Sequence, residues 1–150
     1  MMETKQLRIR MTTKYEMERI IQEETDESLK KAYREMLQGC LDHPEQWAWY
    51  AIWVIEDKEG RPLGDLSFKG LNPDGSAEIG YGIREEFRGH GYATEAVAAA
   101  VEWALEQAGV TRVEAETEPG NRASQRVLEK CGFVPNGIIG EEGPRFEKMK

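Results

Sequence analysis

The sequence predicts a single α/β (α+β) domain over residues 1–150, a mixed, mostly antiparallel sheet of roughly six or seven strands flanked by about four helices. Three observations predict it. Short segments with period-two apolar alternation are interspersed with segments of helical period, with no repeat, linker or low-complexity tract between them. Their order reads β-α-α-β-β-β-α-β-α-β-β. Near the middle, a strand, a glycine loop and a long amphipathic helix lead into another strand, which fits a right-handed parallel crossover.

Leu7, Ile9 and Met11 alternate with Arg8, Arg10 and Thr12, as in a strand with one buried face. From Lys14 to Leu41 the period becomes helical, with Met17, Ile20 and Ile21 separated from Leu29 to Leu41 by the polar break at residues 23–27. This predicts two helices, the second capped by Asp26 or Ser28 and ended by His43-Pro44. Residues 47–55 are apolar throughout and rich in aromatic and β-branched side chains, so the expectation is one central strand. A charged turn from Glu56 to Pro62, a strand over Leu63 to Phe68, the turn Asn72-Pro73-Asp74-Gly75 and a strand over Glu78 to Ile83 predict three successive antiparallel strands.

The next helix carries Ala93, Ala96, Val97, Ala100, Val101, Ala104, Leu105 and Ala108 on one face, and Gly109 is expected to stop it. A strand at Arg112 to Thr117, a break at Pro119-Gly120, a short helix from about Ala123 to Cys131 closed by Gly132, a strand from Phe133 and a closing hairpin complete the chain.

Composition narrows the partners. With 20 basic and 28 acidic residues the net charge is -8, which disfavours a nucleic acid and suits a cationic small molecule or basic peptide, although an acidic excess also serves plain solubility. Cys40 and Cys131 form no Cys-x-x-Cys pair and end apolar helical patterns, so they read as reduced core thiols, with a bridge or a nucleophile as the lesser alternatives. The two histidines, His43 and His90, cannot assemble a metal site by spacing, and no metal is expected. No apolar segment follows residues 1–6 and no run approaches a membrane span, so a cytoplasmic protein without membrane contact is expected.

The chemistry concentrates at Arg88-Gly89-His90-Gly91-Tyr92-Ala93-Thr94. Glycines ahead of a helix let a ligand approach the backbone, and the first amides of the helix attract phosphate oxygens. Two phosphate loops are excluded. Thr94 stands where a dinucleotide fingerprint needs a small third residue, residues 84–87 separate strand from loop, and no Gly-Lys-Ser/Thr triplet exists. Gly80 and Gly82 weaken the preceding strand and point either to a close ligand approach or to a bulge.

Arg88-x-x-Gly91-x-Ala93, with Asn121-Arg-Ala-Ser124-Gln-Arg-Val-Leu-Glu-Lys-Cys131-Gly132-Phe133 further along the chain, resembles the GCN5-related N-acetyltransferase (GNAT) superfamily, in particular its ribosomal-protein alanine/serine and spermidine acetyltransferase branch. The resemblance covers nearly the whole chain. It implies acetyl-CoA as the co-substrate, with Arg88, Gly89, His90, Gly91, Tyr92, Ala93 and Thr94 on its pyrophosphate. It implies that the strand Glu78 to Ile83 splays from the strand Arg112 to Thr117, and that Tyr81, Gly82 and Ile83 offer main-chain groups to the pantetheine arm. By the same resemblance Asn121 and Ser124 touch the lower arm and the sulfur, while Asn121 also suits an N-cap.

The tyrosine that protonates the departing thiolate in many members is here Leu128, so the resemblance passes that role to Ser124. An acceptor amine must lose a proton before it attacks, which needs a base. Glu78 resembles the family's strand glutamate and faces away from Ile79, Tyr81 and Ile83, with Glu116 as second candidate and a surface carboxylate as the plain alternative. The implied reaction is transfer of an acetyl group to a primary amine of a small molecule or a peptide or protein N-terminus, by direct attack in a ternary complex. The acceptor pocket is expected near Glu23, Glu24, Asp26, Glu141 and Glu142, favouring a cation, with Trp47, Trp49 and Trp53 either lining it or packed in the core. A homodimer is common among relatives. Leu128 keeps open a catalytically silent acyl-CoA-binding sensor or interaction module, and the glycine loop a nucleotide-binding regulator.

Overall fold

A computed structural model describes residues 1–150. In chain order the elements are β1 (Met2–Glu3), β2 (Leu7–Met11), α1 (Lys14–Glu23), α2 (Glu27–Asp42), α3 (Trp47–Tyr50), β3 (Trp53–Asp57), β4 (Pro62–Phe68), β5 (Ser76–Ile83), α4 (Tyr92–Glu106), β6 (Arg112–Glu116), α5 (Arg122–Lys130), β7 (Val134–Ile139) and β8 (Pro144–Met149). The strands form one eight-stranded sheet in the order β1-β2-β3-β4-β5-β6-β8-β7. Every pairing is antiparallel except β5 with β6. The mixed α/β architecture is the expected one.

Local chemistry sets most boundaries. Thr13 and Glu16 form a reciprocal capping box on α1, and Asp26, rather than Ser28, caps α2 by accepting from the Ser28 and Leu29 amides. α5 ends in a Schellman motif: the Gly132 amide donates to Glu129 O, the Phe133 amide donates to Leu128 O, and Gly132 sits at φ +89°. Along α4 the buried face is Ala96, Val97, Ala100, Val101 and Ala104, whose small side chains let the helix lie close against the sheet. They join Leu66, Phe68, Ile79, Val113 and Phe146 in the main core.

Three expectations are corrected. Residues 47–55 are not one strand: a 3-10 turn at Pro44–Gln46 leads into α3, and the strand begins only at Trp53. Tertiary contacts override β propensity here, because Trp47 Nε1 donates to Thr12 O at 2.9 Å, Trp53 Nε1 donates to Ala48 O at 2.9 Å, and Trp49 packs edge-on against Phe68. The sheet has eight strands and there are five helices, since α3 and the two-residue β1 add one of each, β1 by pairing Met2 with Ile9. Gly109 has the expected positive φ of +82° but sits in the turn after α4, which already ends at Glu106 with Gln107 extended.

Candidate functional site

β5 and β6 pair only over Ser76–Glu78 and Arg112–Glu114, then part, so the sheet is open beside residues 79–83. β5 stays bonded to β4 along its other edge, with Gly82 opposite Asp65 and Tyr81 opposite Leu66. The Lys69 amide donates to Glu78 O and the Arg84 amide to Leu63 O. Antiparallel alternation therefore commits the even-numbered main-chain groups, including those of Gly82, to β4 and turns those of Tyr81 and Ile83 to the open edge. Gly82 thus contributes a missing side chain rather than a free amide: nothing lies within 4 Å of where its Cβ would stand.

At the mouth of the opening the chain passes through Gly89 (φ +83°) and Gly91 (φ +78°) into α4. Only glycine adopts these angles without strain. Gly91 is the N-cap and has no side chain to cap with, and the first bond of the helix runs from the Glu95 amide to Gly91 O. The amides of residues 89–94 consequently donate to no protein acceptor. That run of free N–H groups at the positive end of a 15-residue helix is suited to a diphosphate. Glu95 does not compete for it, because its carboxylate accepts from Thr4 Oγ1, the Gln6 amide and Gln6 Nε2.

A cavity of about 360 Å³ connects these pieces. Every residue named from the sequence for the cofactor lines it except His90, which is exposed, with Nδ1 3.1 Å from Phe87 O. Arg88 donates from Nε to Ile83 O at 3.1 Å, fixing the loop to the end of β5. Asn121 caps α5 by accepting from the Ser124 amide at 3.0 Å. Ser124 Oγ is 2.7 Å from Tyr81 Oη, which also donates to Ser124 O at 3.3 Å. Burial pushes the Tyr81 phenol up, against the Ser124 hydrogen bond. Leu128 is wholly buried in the core and does not face the cavity. Phe87, Ala123 and Val127 complete the lining and carried no signal of their own in the sequence.

A larger cleft, about 1220 Å³, lies on the α1–α2 side of the sheet. Tyr81, Gly82 and Ile83 line both spaces. Glu23 and Glu24 border the large cleft as expected, but Asp26 serves as a cap, and Glu141 and Glu142, between β7 and β8, line neither space. Trp47, Trp49 and Trp53 are packing residues outside both.

The two candidate bases sit in an ion-pair cluster. Arg145 reaches Glu78 at 2.8 Å, Glu116 at 2.8 Å and Glu114 at 3.4 Å, and Lys69 reaches Glu78 at 2.7 Å. Burial alone would raise the Glu78 carboxyl, but the hydrogen bonds and charges of Lys69 and Arg145 outweigh it and hold the group below the usual carboxylate range. Glu116 additionally accepts from the Glu142 amide at 3.0 Å. Neither glutamate lines either space.

A sheet opened between two parallel strands, with a run of unpaired amides at its mouth, defines a class of α/β domain with a ligand-sized opening along one strand edge. The chain belongs to the acetyltransferase (GNAT) domain family, whose model matches residues 4–134. It is 38% identical over 87 residues, 56% of this chain and 51% of the relative, to the uncharacterized N-acetyltransferase YjdG of Bacillus subtilis. It is 35% identical over 80 residues, 53% of this chain and 44% of the relative, to the putative ribosomal N-acetyltransferase YdaF of the same organism. The chain spans about half the length of these curated relatives. In fold it is similar to the spermidine N-acetyltransferase from Vibrio cholerae crystallised with CoA and spermine, with a TM-score of 0.75 and 21% identity over 97% of this chain and 96% of that one. No helix is long and apolar enough to cross a membrane.

Proposed function

We propose that the chain is an acetyl-CoA-dependent N-acetyltransferase that acetylates a primary amine by direct attack in a ternary complex. The observation that carries this reading is that Tyr81, Gly82 and Ile83 border both the small cavity and the large cleft, so one strand separates two ligand-sized spaces. The residues present fit the co-substrate: free amides at 89–94 for the diphosphate, and outward main-chain groups of Tyr81 and Ile83 for the arm. A bound acetyl thioester supplies the electrophilic carbonyl. An outward amide of Tyr81 or Ile83 then stabilises negative charge growing on the carbonyl oxygen. The Ser124 hydroxyl, backed by Tyr81 Oη, protonates the departing sulfur in place of the tyrosine that Leu128 replaces.

The acceptor is a cation. Glu24, Glu35 and Asp65 face the large cleft without an ion-pair partner, against one unpaired cation, Arg84, whereas Glu16 and Glu56 share Arg10 and Glu23 pairs with Arg19. The spermine-bound neighbour is compatible with a polyamine or a peptide amine in this position. The test is thiol release from acetyl-CoA with a panel of polyamines, aminoglycosides and peptide N-termini. Amine-dependent release supports the enzyme, whereas CoA binding without turnover of any amine supports the binding-only module.

A further inference from the structure

The ion pairs of Glu78 and Glu116 leave open which group deprotonates the acceptor, and the large cleft contains a carboxylate placed differently. Asp65 lies on β4 directly opposite Gly82. Cross-strand neighbours project from the same face of a sheet, about 5 Å apart. The Asp65 carboxylate therefore stands beside the bare face of Gly82, where nothing occupies the 4 Å around a would-be Cβ. Asp65 makes no ion pair. Its single hydrogen bond is accepted by Oδ2 from Tyr33 Oη at 3.0 Å, leaving Oδ1 without a partner. Tyr33 is itself buried on α2 and holds the carboxylate by one oxygen only.

Resting on the transferase reading above, we propose that Asp65, oriented by Tyr33, is the base that takes the proton from the acceptor's ammonium in the large cleft. The acceptor R–NH3+ gives one proton to Asp65 Oδ1, and the freed lone pair forms the C–N bond to the thioester carbonyl carbon. The C–S bond breaks with its electron pair going to sulfur. The nitrogen loses a second proton, which balances the one the sulfur takes up through Ser124 and Tyr81, and Asp65 returns its proton to solvent through the open cleft. The charged and titratable groups facing Asp65 are Tyr33 on α2, Glu24 after α1 and Arg84 after β5. Burial raises the Asp65 carboxyl, the Tyr33 hydrogen bond and the Arg84 charge lower it, Glu24 raises it, and the net is upward. That direction makes Asp65 a stronger base than an ordinary carboxylate and Glu78 a weaker one.

The test uses Asp65→Asn, which keeps an oxygen for Tyr33 but cannot accept a proton, and Tyr33→Phe, which keeps the carboxylate. For an amine that the wild type acetylates, kcat/KM is followed from pH 4 to 9.5, with CoA affinity and Tm as controls. The expected result for Asp65→Asn is a loss on the order of 10²-fold at neutral pH. Its rate then climbs with pH in step with the free-amine fraction, and CoA affinity stays within twofold. In Tyr33→Phe the acid limb moves to higher pH, because a bond that lowers the Asp65 pKa is gone. Asp65→Asn retaining half or more of the wild-type kcat/KM at every pH overturns the assignment and leaves the transferase reading standing. So does an unmoved acid limb in Tyr33→Phe, which alone decides the matter if Asp65→Asn does not fold. A wild type that binds CoA but acetylates no amine overturns both.

Discussion

Replacing Gly91 by alanine tests the cradle without knowledge of the acceptor. Gly91 has φ +78° and ψ 7°, and no atom lies within 4 Å of a Cβ built there. The cost of the methyl group is therefore conformational rather than steric, about 1–2 kcal/mol for an L residue in the left-handed region. The chain escapes it by rotating away from that angle, which turns neighbouring amides out of the cluster at 89–94. Hydrogen bonds to a charged partner are worth about 1.5–3 kcal/mol each. Losing one predicts a CoA Kd raised about 10- to 150-fold, read by titration calorimetry. Gly137→Ala is the matched control: its φ is +81°, its would-be Cβ is equally unobstructed, and it lies in β7 away from both spaces. Both variants should lose the same stability, about 2–4 °C in Tm per kcal/mol for a chain of this size. If Gly91→Ala bound CoA within twofold of Gly137→Ala, the claim that these amides hold the diphosphate would be wrong.

Ser124→Ala should lower kcat for amine-dependent thiol release at least tenfold while barely changing Tm, because Tyr81 Oη keeps the Ser124 carbonyl at 3.3 Å; an unchanged kcat excludes the hydroxyl as acid. Arg145→Met removes the cation shared by Glu78, Glu114 and Glu116, whose side chains are 20%, 14% and 9% exposed, and should cost about 2–4 kcal/mol in urea unfolding. The pH dependence should weaken as well. In the wild type the depressed Glu78 pKa gives stability that is present above about pH 4.3 and lost as pH falls through the lower folded value. Without Arg145 the Lys69 contact remains but the Arg145 hydrogen bond and charge are gone, so the Glu78 pKa should rise toward its unfolded value and the variant should lose less stability than the wild type as pH falls from 6 to 3, which urea midpoints at the two pH values will show. Cys40 and Cys131 are buried, and burial pushes the Cys40 thiol up to about 11 and raises that of Cys131. A thiol reagent at pH 8 should label neither until the protein is unfolded.

The parts of the fold legible in the sequence were those governed by local rules. The Asp26 cap of α2, the glycine stop at Gly132 and the alanine face of α4 each depend on residues within a few positions of one another. So does the loop of free amides ahead of α4, whose glycines and helix start are contiguous. Trp47–Tyr50 misled because a short apolar aromatic run has no period to distinguish a helical turn from a strand, and indole hydrogen bonds to Thr12 and Ala48 decide it. β1 exists only by virtue of its partner strand. The large cleft and the ion-pair cluster were hardest to read. Tyr33 and Asp65 are 32 residues apart, and Glu78 meets Arg145 from 67 residues away. Neither pairing leaves a pattern in one sequence, so Glu78 was visible as a strand carboxylate but its neutralisation was not.

The strand shared by the two spaces is a partition one backbone thick, and its weakest point is Gly82. Apart from that strand the two spaces are lined by different residues, which predicts kinetics of random rather than compulsory order, to be read from initial-rate patterns. A side chain installed at position 82 would act as a shutter on the cleft side while leaving the amide cradle intact, and Gly82→Val should separate thioester capture from delivery. A conjugate that tethers a CoA sulfur to an amine would have to cross the wall there, making its affinity a gauge of how wide that window is.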